Sequence, residues 1–67
     1  MTIIRRTMLT TVEIEIYRDK DIWEVSLIAY GEWIIERFQN PQECIGYIES
    51  YILVTEEEKE TIKNLEE

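Results

Sequence analysis

Carboxylates are the residues of this chain with the numbers and spacing to suggest acid-base chemistry. Glu13 and Glu15 lie in one apolar-alternating segment and Glu24 in the next. Paired carboxylates serve as acid and base only where a cleft drives their properties apart. On an open sheet face, with Glu15 beside Glu24 and Glu13 one pair further along, they read as a solvated acidic patch. A small enzyme using Glu15 and Glu24 is therefore the least supported function. The run Glu56, Glu57, Glu58 and Glu60 offers oxygen ligands for a cation, but lacks the glycine-containing loop that spaces ligands around calcium. Cys44 falls one turn into a predicted helix, where reactive thiols occur, yet it shares an apolar stripe with Ile48 and reads as a small buried hydrophobe. The chain has no histidine, so no triad built on Ser/His or Cys/His can form within it. No catalytic residue, metal ligand or cofactor is assigned.

The elements that would position these groups follow from periodicity. Val12, Ile14 and Ile16 alternate with Glu13 and Glu15, the pattern of a half-buried strand. A polar turn at Arg18 to Asp21 precedes a second strand from Ile22 to Tyr30, with Tyr17 expected opposite Ile22, Ile16 opposite Trp23, and Ile14 opposite Val25. Gly31 and Glu32 suit a two-residue hairpin with glycine first. That turn predicts a third strand with Tyr30 opposite Trp33, Ile28 opposite Ile35 and Glu36 directed inward beside Leu27. Asn40, Pro41 and Glu43 make a helix start, followed by an apolar stripe of Cys44, Ile45, Ile48, Tyr51 and Ile52. This predicts a helix from Pro41 to Val54, with Gly46 set for close approach to the sheet. Thr55 and Glu58 form a second capping box that opens a short acidic helix, loosely docked or frayed.

The expected architecture is α+β: a three-stranded antiparallel sheet of two hairpins packed on one helix, with a short acidic C-terminal helix, in the order β-β-β-α-α. Residues 1–67 form a single small domain. Residues 1–8 are either flexible or an extra strand segment, and 56–67 are the short helix. The layout resembles that of the DNA-binding arm domains of phage integrases; those are basic, so the resemblance extends to layout alone.

Charge sets the class of partner. The 67 residues carry 15 acids and 7 bases, a net of -8. Residues 1–20 hold four bases against three acids, a net of +1, while residues 21–67 hold twelve acids and three bases, a net of -9. Such a surface repels phosphate backbones and anionic membranes, and favours a basic protein partner. With 45% hydrophobic residues, two Trp and four Tyr, the chain is too apolar to remain disordered. No segment is apolar over the length needed to span a bilayer, and the expected location is cytoplasmic, or the host cytoplasm for a viral product. Met8 is an alternative initiator to Met1.

The second and third strands carry a surplus of apolar residues. Trp23, Val25, Leu27 and Ala29 face one way and are covered by the first helix, but Ile28, Tyr30, Trp33 and Ile35 face the other. Either the segment Thr2 to Met8 or the second helix folds over this outer set, or it is a contact surface whose anchors are Trp and Tyr. The expected function is a non-catalytic acidic protein-binding module. Its contact residues are Ile28, Tyr30, Trp33, Ile35, Glu13, Glu15, Glu24, Glu56, Glu57 and Glu58. One form is a small inhibitor or nucleic-acid mimic that blocks a basic nucleic-acid-handling protein, as phage-encoded anti-CRISPR proteins do. The alternative is a structural or regulatory homo-oligomer, a homodimer associating through the outer sheet face.

Overall fold

The computed structural model describes residues 1–66. Its elements run β1 (Thr2–Arg6), β2 (Thr11–Asp19), β3 (Ile22–Ala29), β4 (Glu32–Phe38), α1 (Pro41–Glu49) and α2 (Glu56–Lys63). The class is α+β as expected, but the sheet has four antiparallel strands in the order β1-β2-β3-β4, not three. The extra strand is the segment Thr2–Arg6. It pairs along the open edge of β2, with Ile3 opposite Ile14 and Arg5 opposite Val12. It therefore lengthens the sheet and leaves the outer face uncovered.

Both hairpins pair two positions away from the expected register, the first because its turn is two residues shorter and the second because its two-residue turn starts one residue earlier. Lys20 and Asp21 form the first turn, so Asp19 faces Ile22, Ile16 faces Val25 and Ile14 faces Leu27. Tyr30 and Gly31 form the second, so Ile28 faces Trp33, Leu27 faces Ile34 and Val25 faces Glu36. Tyr30 and Gly31 both take positive φ, 53° and 77°, the signature of a type I′ turn rather than the expected glycine-first turn. A shift of two positions preserves the side-chain period, so every residue keeps its expected face. The observed register aligns Ile3, Ile14, Leu27 and Ile34 in one row across all four strands. Those cross-strand contacts outweigh the roughly 1–2 kcal/mol that an L-residue loses in the left-handed region at Tyr30. Tyr30 is 70% exposed, so Tyr30→Asn should remove much of that local penalty while losing little packing. We expect a gain of about 0.5–1 kcal/mol, read as a higher urea midpoint with an unchanged slope.

The inner face is covered by both helices. Asn40 caps α1, its side chain accepting the Glu43 N–H at 2.8 Å, and Pro41 opens the first turn. Cys44, Ile45 and Ile48 are buried against Ile14, Ile16, Val25 and Leu27 in one core. The helix ends at Glu49, five residues before the expected Val54; the chain then turns through Ser50 so that Ile52 tucks into the core. Gly46 faces open space and not the sheet, so close approach does not explain it.

The second helix is anchored at both ends rather than frayed. At its start, the Thr55 side chain accepts the Glu58 N–H while the Glu58 carboxylate accepts the Thr55 N–H. The same carboxylate forms an ion pair with Arg5 of β1. Near its end, Ile62 is fully buried and its carbonyl accepts the indole N–H of Trp23 at 2.9 Å. Arg18 donates to the Leu65 carbonyl at 2.9 Å and lies over the Trp23 ring at 4.7 Å. Lys59 bridges the helices, 3.5 Å from Glu49 and 3.3 Å from Glu56. The end of the expected 56–67 segment, Glu67, lies outside the described residues. Among the described residues no helix is long and apolar enough to cross a membrane.

Candidate docking surface

With β1 extending the sheet and both helices on the inner side, nothing within the described chain covers the outer face. Strand alternation sends Ile4, Glu13, Ile28 and Trp33 there as one row across the four strands. The next row holds Thr2, Glu15, Ser26 and Ile35, and the one after it Tyr17, Glu24 and Arg37. Exposures of 46% at Ile28, 69% at Trp33 and 47% at Ile35 leave an apolar patch on β3 and β4 in solvent, and Ile4, 43% exposed, lies beyond Glu13 on β1.

The patch is ordered by polar contacts. The Trp33 indole N–H donates to the Ser26 hydroxyl at 2.8 Å, which lays the ring across β3. The Tyr17 hydroxyl donates to the Glu15 carboxylate, and this bond, reinforced by the negative charge, pushes the phenol above its ordinary value. Glu24 pairs with Arg37 at 2.7 Å. Between these groups lies a shallow depression of about 230 Å³, lined by Glu13, Glu15, Ser26, Ile28 and Trp33. Its lining combines the apolar side chains of Ile28 and Trp33 with the Ser26 hydroxyl and two carboxylates.

The expected site residues are only partly brought together. Ile28, Trp33 and Ile35 share the patch with Glu13 and Glu15, while Tyr30 projects from the turn at the end of the sheet. The tighter register separates the supposed acid-base pair: Glu15 faces Ser26, and Glu24 faces Tyr17. Glu56, Glu57 and Glu58 open α2 on the other side of the sheet, and Glu58 is committed to its cap and to Arg5. Ile4, Ser26, Tyr17 and Arg37 join the surface without having been singled out. Ile4 carries no sequence signal of its face because it adjoins another isoleucine, and the Ser26 bond depends on the register.

Cys44 is fully buried, and burial pushes its thiol up to about 11, so it is a poor nucleophile at neutral pH. Among the described residues no three His, Cys, Asp or Glu side chains are grouped to hold a metal ion. Comparison with family models, with curated proteins and with solved structures finds no match to this chain.

Proposed function

We propose that this protein is a non-catalytic binding module that docks a basic protein segment on the outer face of its sheet. The observation that carries the reading is the uncovered pair of Ile28 and Trp33 flanked by the carboxylates of Glu13 and Glu15. A lysine or arginine side chain from the partner suits the depression there. Its aliphatic stem would lie on Ile28 and the indole, and its charged head would reach both carboxylates. The position of Glu56 and Glu57 on the opposite layer favours docking through one face over a phosphate-like array spread around the molecule. In the inhibitor form of this reading, the docked segment is the basic nucleic-acid-binding surface of a target protein.

The test begins with a protein retained by the immobilised wild type and then purified. Trp33→Ser should weaken its binding about thirtyfold, as loss of a central aromatic anchor does. Glu13→Lys with Glu15→Lys should weaken it further and flatten its salt dependence. Glu60→Lys, on α2, should leave affinity within about twofold. Equal losses from Glu60→Lys and from the outer-face variants would sink the assignment of the face. Light scattering addresses the homodimer: a wild-type mass of two chains that falls to one in Trp33→Glu would make a second copy the occupant.

A further inference from the structure

The three hairpins of the sheet are closed by different chemistry. The β2-β3 turn has positive φ at Lys20 and the β3-β4 turn has it at Tyr30 and Gly31, as turns matched to the right-handed twist of their strands do. The β1-β2 turn has no such residue. Its tip is Met8 and Leu9, both at negative φ, and residues 7–10 include none of the Gly, Pro, Asn or Asp that favour reversal of the chain. One backbone bond closes it, from the Thr7 N–H to the Thr10 carbonyl at 2.8 Å. The remaining bonds all use the Thr7 hydroxyl, which accepts the Leu9 and Thr10 N–H groups at 3.3 and 3.1 Å and donates to the Thr10 carbonyl at 3.2 Å. A single hydroxyl therefore holds a turn whose tip is two large apolar side chains, both fully in solvent.

The strand before this turn is held far more firmly than the turn itself. β1 runs along β2 from Thr2 opposite Glu15 to Arg6 opposite Thr11, Ile3 is buried in the core, and Arg5 pairs with Glu58 of α2. Charge supports the same contact. β1 carries two of the seven bases and no acid, so the rest of the chain holds five bases against 15 acids, a net of -10. None of these contacts depends on which copy of the chain supplies the strand.

We infer that this protein dimerises by exchanging β1: the turn at residues 7–10 opens, and β1 of each copy pairs with β2 of the other. The exchanged strand recovers its ladder, the packing of Ile3 and the Arg5–Glu58 pair, so monomer and dimer differ only at the turn and in the entropy of association. Opening gives up the Thr7 bonds. In return, Met8 and Leu9 of the two copies meet where the connecting segments cross, which withdraws apolar surface from water. The inference does not rest on the outer-face reading, because β1 lies at the sheet edge and both forms leave Ile28 and Trp33 open.

Two full-length chains test it, one carrying Thr2→Cys and the other Glu15→Cys, positions directly opposite each other on β1 and β2. They are mixed, unfolded in urea and refolded together under reducing conditions at about 0.5 M salt, which screens the repulsion between two chains of net -8. Oxidation follows, with Cys44 fully buried and out of reach. Disulfides joining unlike chains should exceed those joining like chains by at least about tenfold, since only exchange sets the two positions side by side. Met8→Asn with Leu9→Gly, introduced into both chains, supplies a type I′ turn and should cut the unlike cross-link about tenfold. Thr7→Val removes the hydroxyl and should raise it severalfold. Trp33→Glu in both chains should leave it unchanged, which separates exchange from pairing through the outer face. All of these side chains lie outside the core, and unchanged far-UV circular dichroism would verify the fold of each variant. Like and unlike cross-links in equal amounts, an unlike cross-link undiminished by the Asn-Gly turn, or its loss in Trp33→Glu would each overturn the exchange.

Discussion

Trp23→Ala should leave the protein largely unfolded at room temperature. Trp23 is 6% exposed, sits under the Arg18 guanidinium and donates to the Ile62 carbonyl, so one side chain joins β2, β3 and α2. Truncating a buried aromatic costs about 3–5 kcal/mol, and a chain of this size has a total stability of about that amount. Trp23→Phe separates the two contributions. It retains most of the apolar contact but leaves the Ile62 carbonyl without its donor, for a loss of about 1–2 kcal/mol. Urea unfolding followed by circular dichroism reads both values. Hydrogen exchange should place the Trp23→Phe effect in α2, whose amides would open before those of the sheet. A Trp23→Ala loss below about 1 kcal/mol would mean that α2 is not held through this contact.

Glu58→Gln should alter stability in a pH-dependent manner. Partial burial raises the Glu58 carboxyl, but the Thr55 N–H and the Arg5 guanidinium outweigh it and hold the group below its ordinary value near 4.5. Because the folded value lies below the unfolded one, the stabilisation is fully present above the ordinary glutamate range and is lost as pH falls through the lowered value. At neutral pH, Glu58→Gln keeps an acceptor for the Thr55 N–H but loses the charge on Arg5, for a cost of about 0.5–1 kcal/mol. Glu58→Ala also removes half the capping box and should cost about 1–2 kcal/mol. The gap between wild type and Glu58→Gln should close as the pH falls below the ordinary glutamate value and through the lowered folded one. Protonation of the exposed carboxylates relieves repulsion in both proteins alike, so the difference between the two curves isolates Glu58. A constant gap from pH 7 to pH 3 would show that the Arg5 contact contributes no charge-dependent stability.

The features visible in the sequence are those set by short-range chemistry. Asn40 and Thr55 cap the helices as their spacing with Glu43 and Glu58 implies, and the two faces of β2 and β3 follow from alternation. Face assignment survived an error in register because a two-residue slip restores the same face. The register itself was hidden, since the second turn places an aromatic residue in a left-handed conformation that local preference argues against. Only the alignment of Ile34 with Leu27, Ile14 and Ile3 explains that choice, and it spans strands far apart in sequence. The first strand is one of two alternatives that the sequence leaves open for residues 1–8, for another reason. Thr2–Arg6 has two adjacent isoleucines and two adjacent arginines, so it shows no alternation, though Ile3 is buried and Ile4 exposed. As for the site, its apolar half could be read from the surplus on β3 and β4. Its acidic half was drawn too broadly, because the sequence does not reveal that α2 packs on the far side of the sheet.

The two tryptophans stand on opposite faces of a single sheet, one enclosed and one in water. Trp23 is shielded from collisional quenchers until the core opens, whereas Trp33 meets them from the start. Native emission is therefore a sum of a blue and a red component. A partner settling on the outer face would shift the red component alone, whereas denaturation would shift the blue one. The chain thus carries its own pair of optical reporters, which distinguish occupation of the surface from loss of the fold without any attached label.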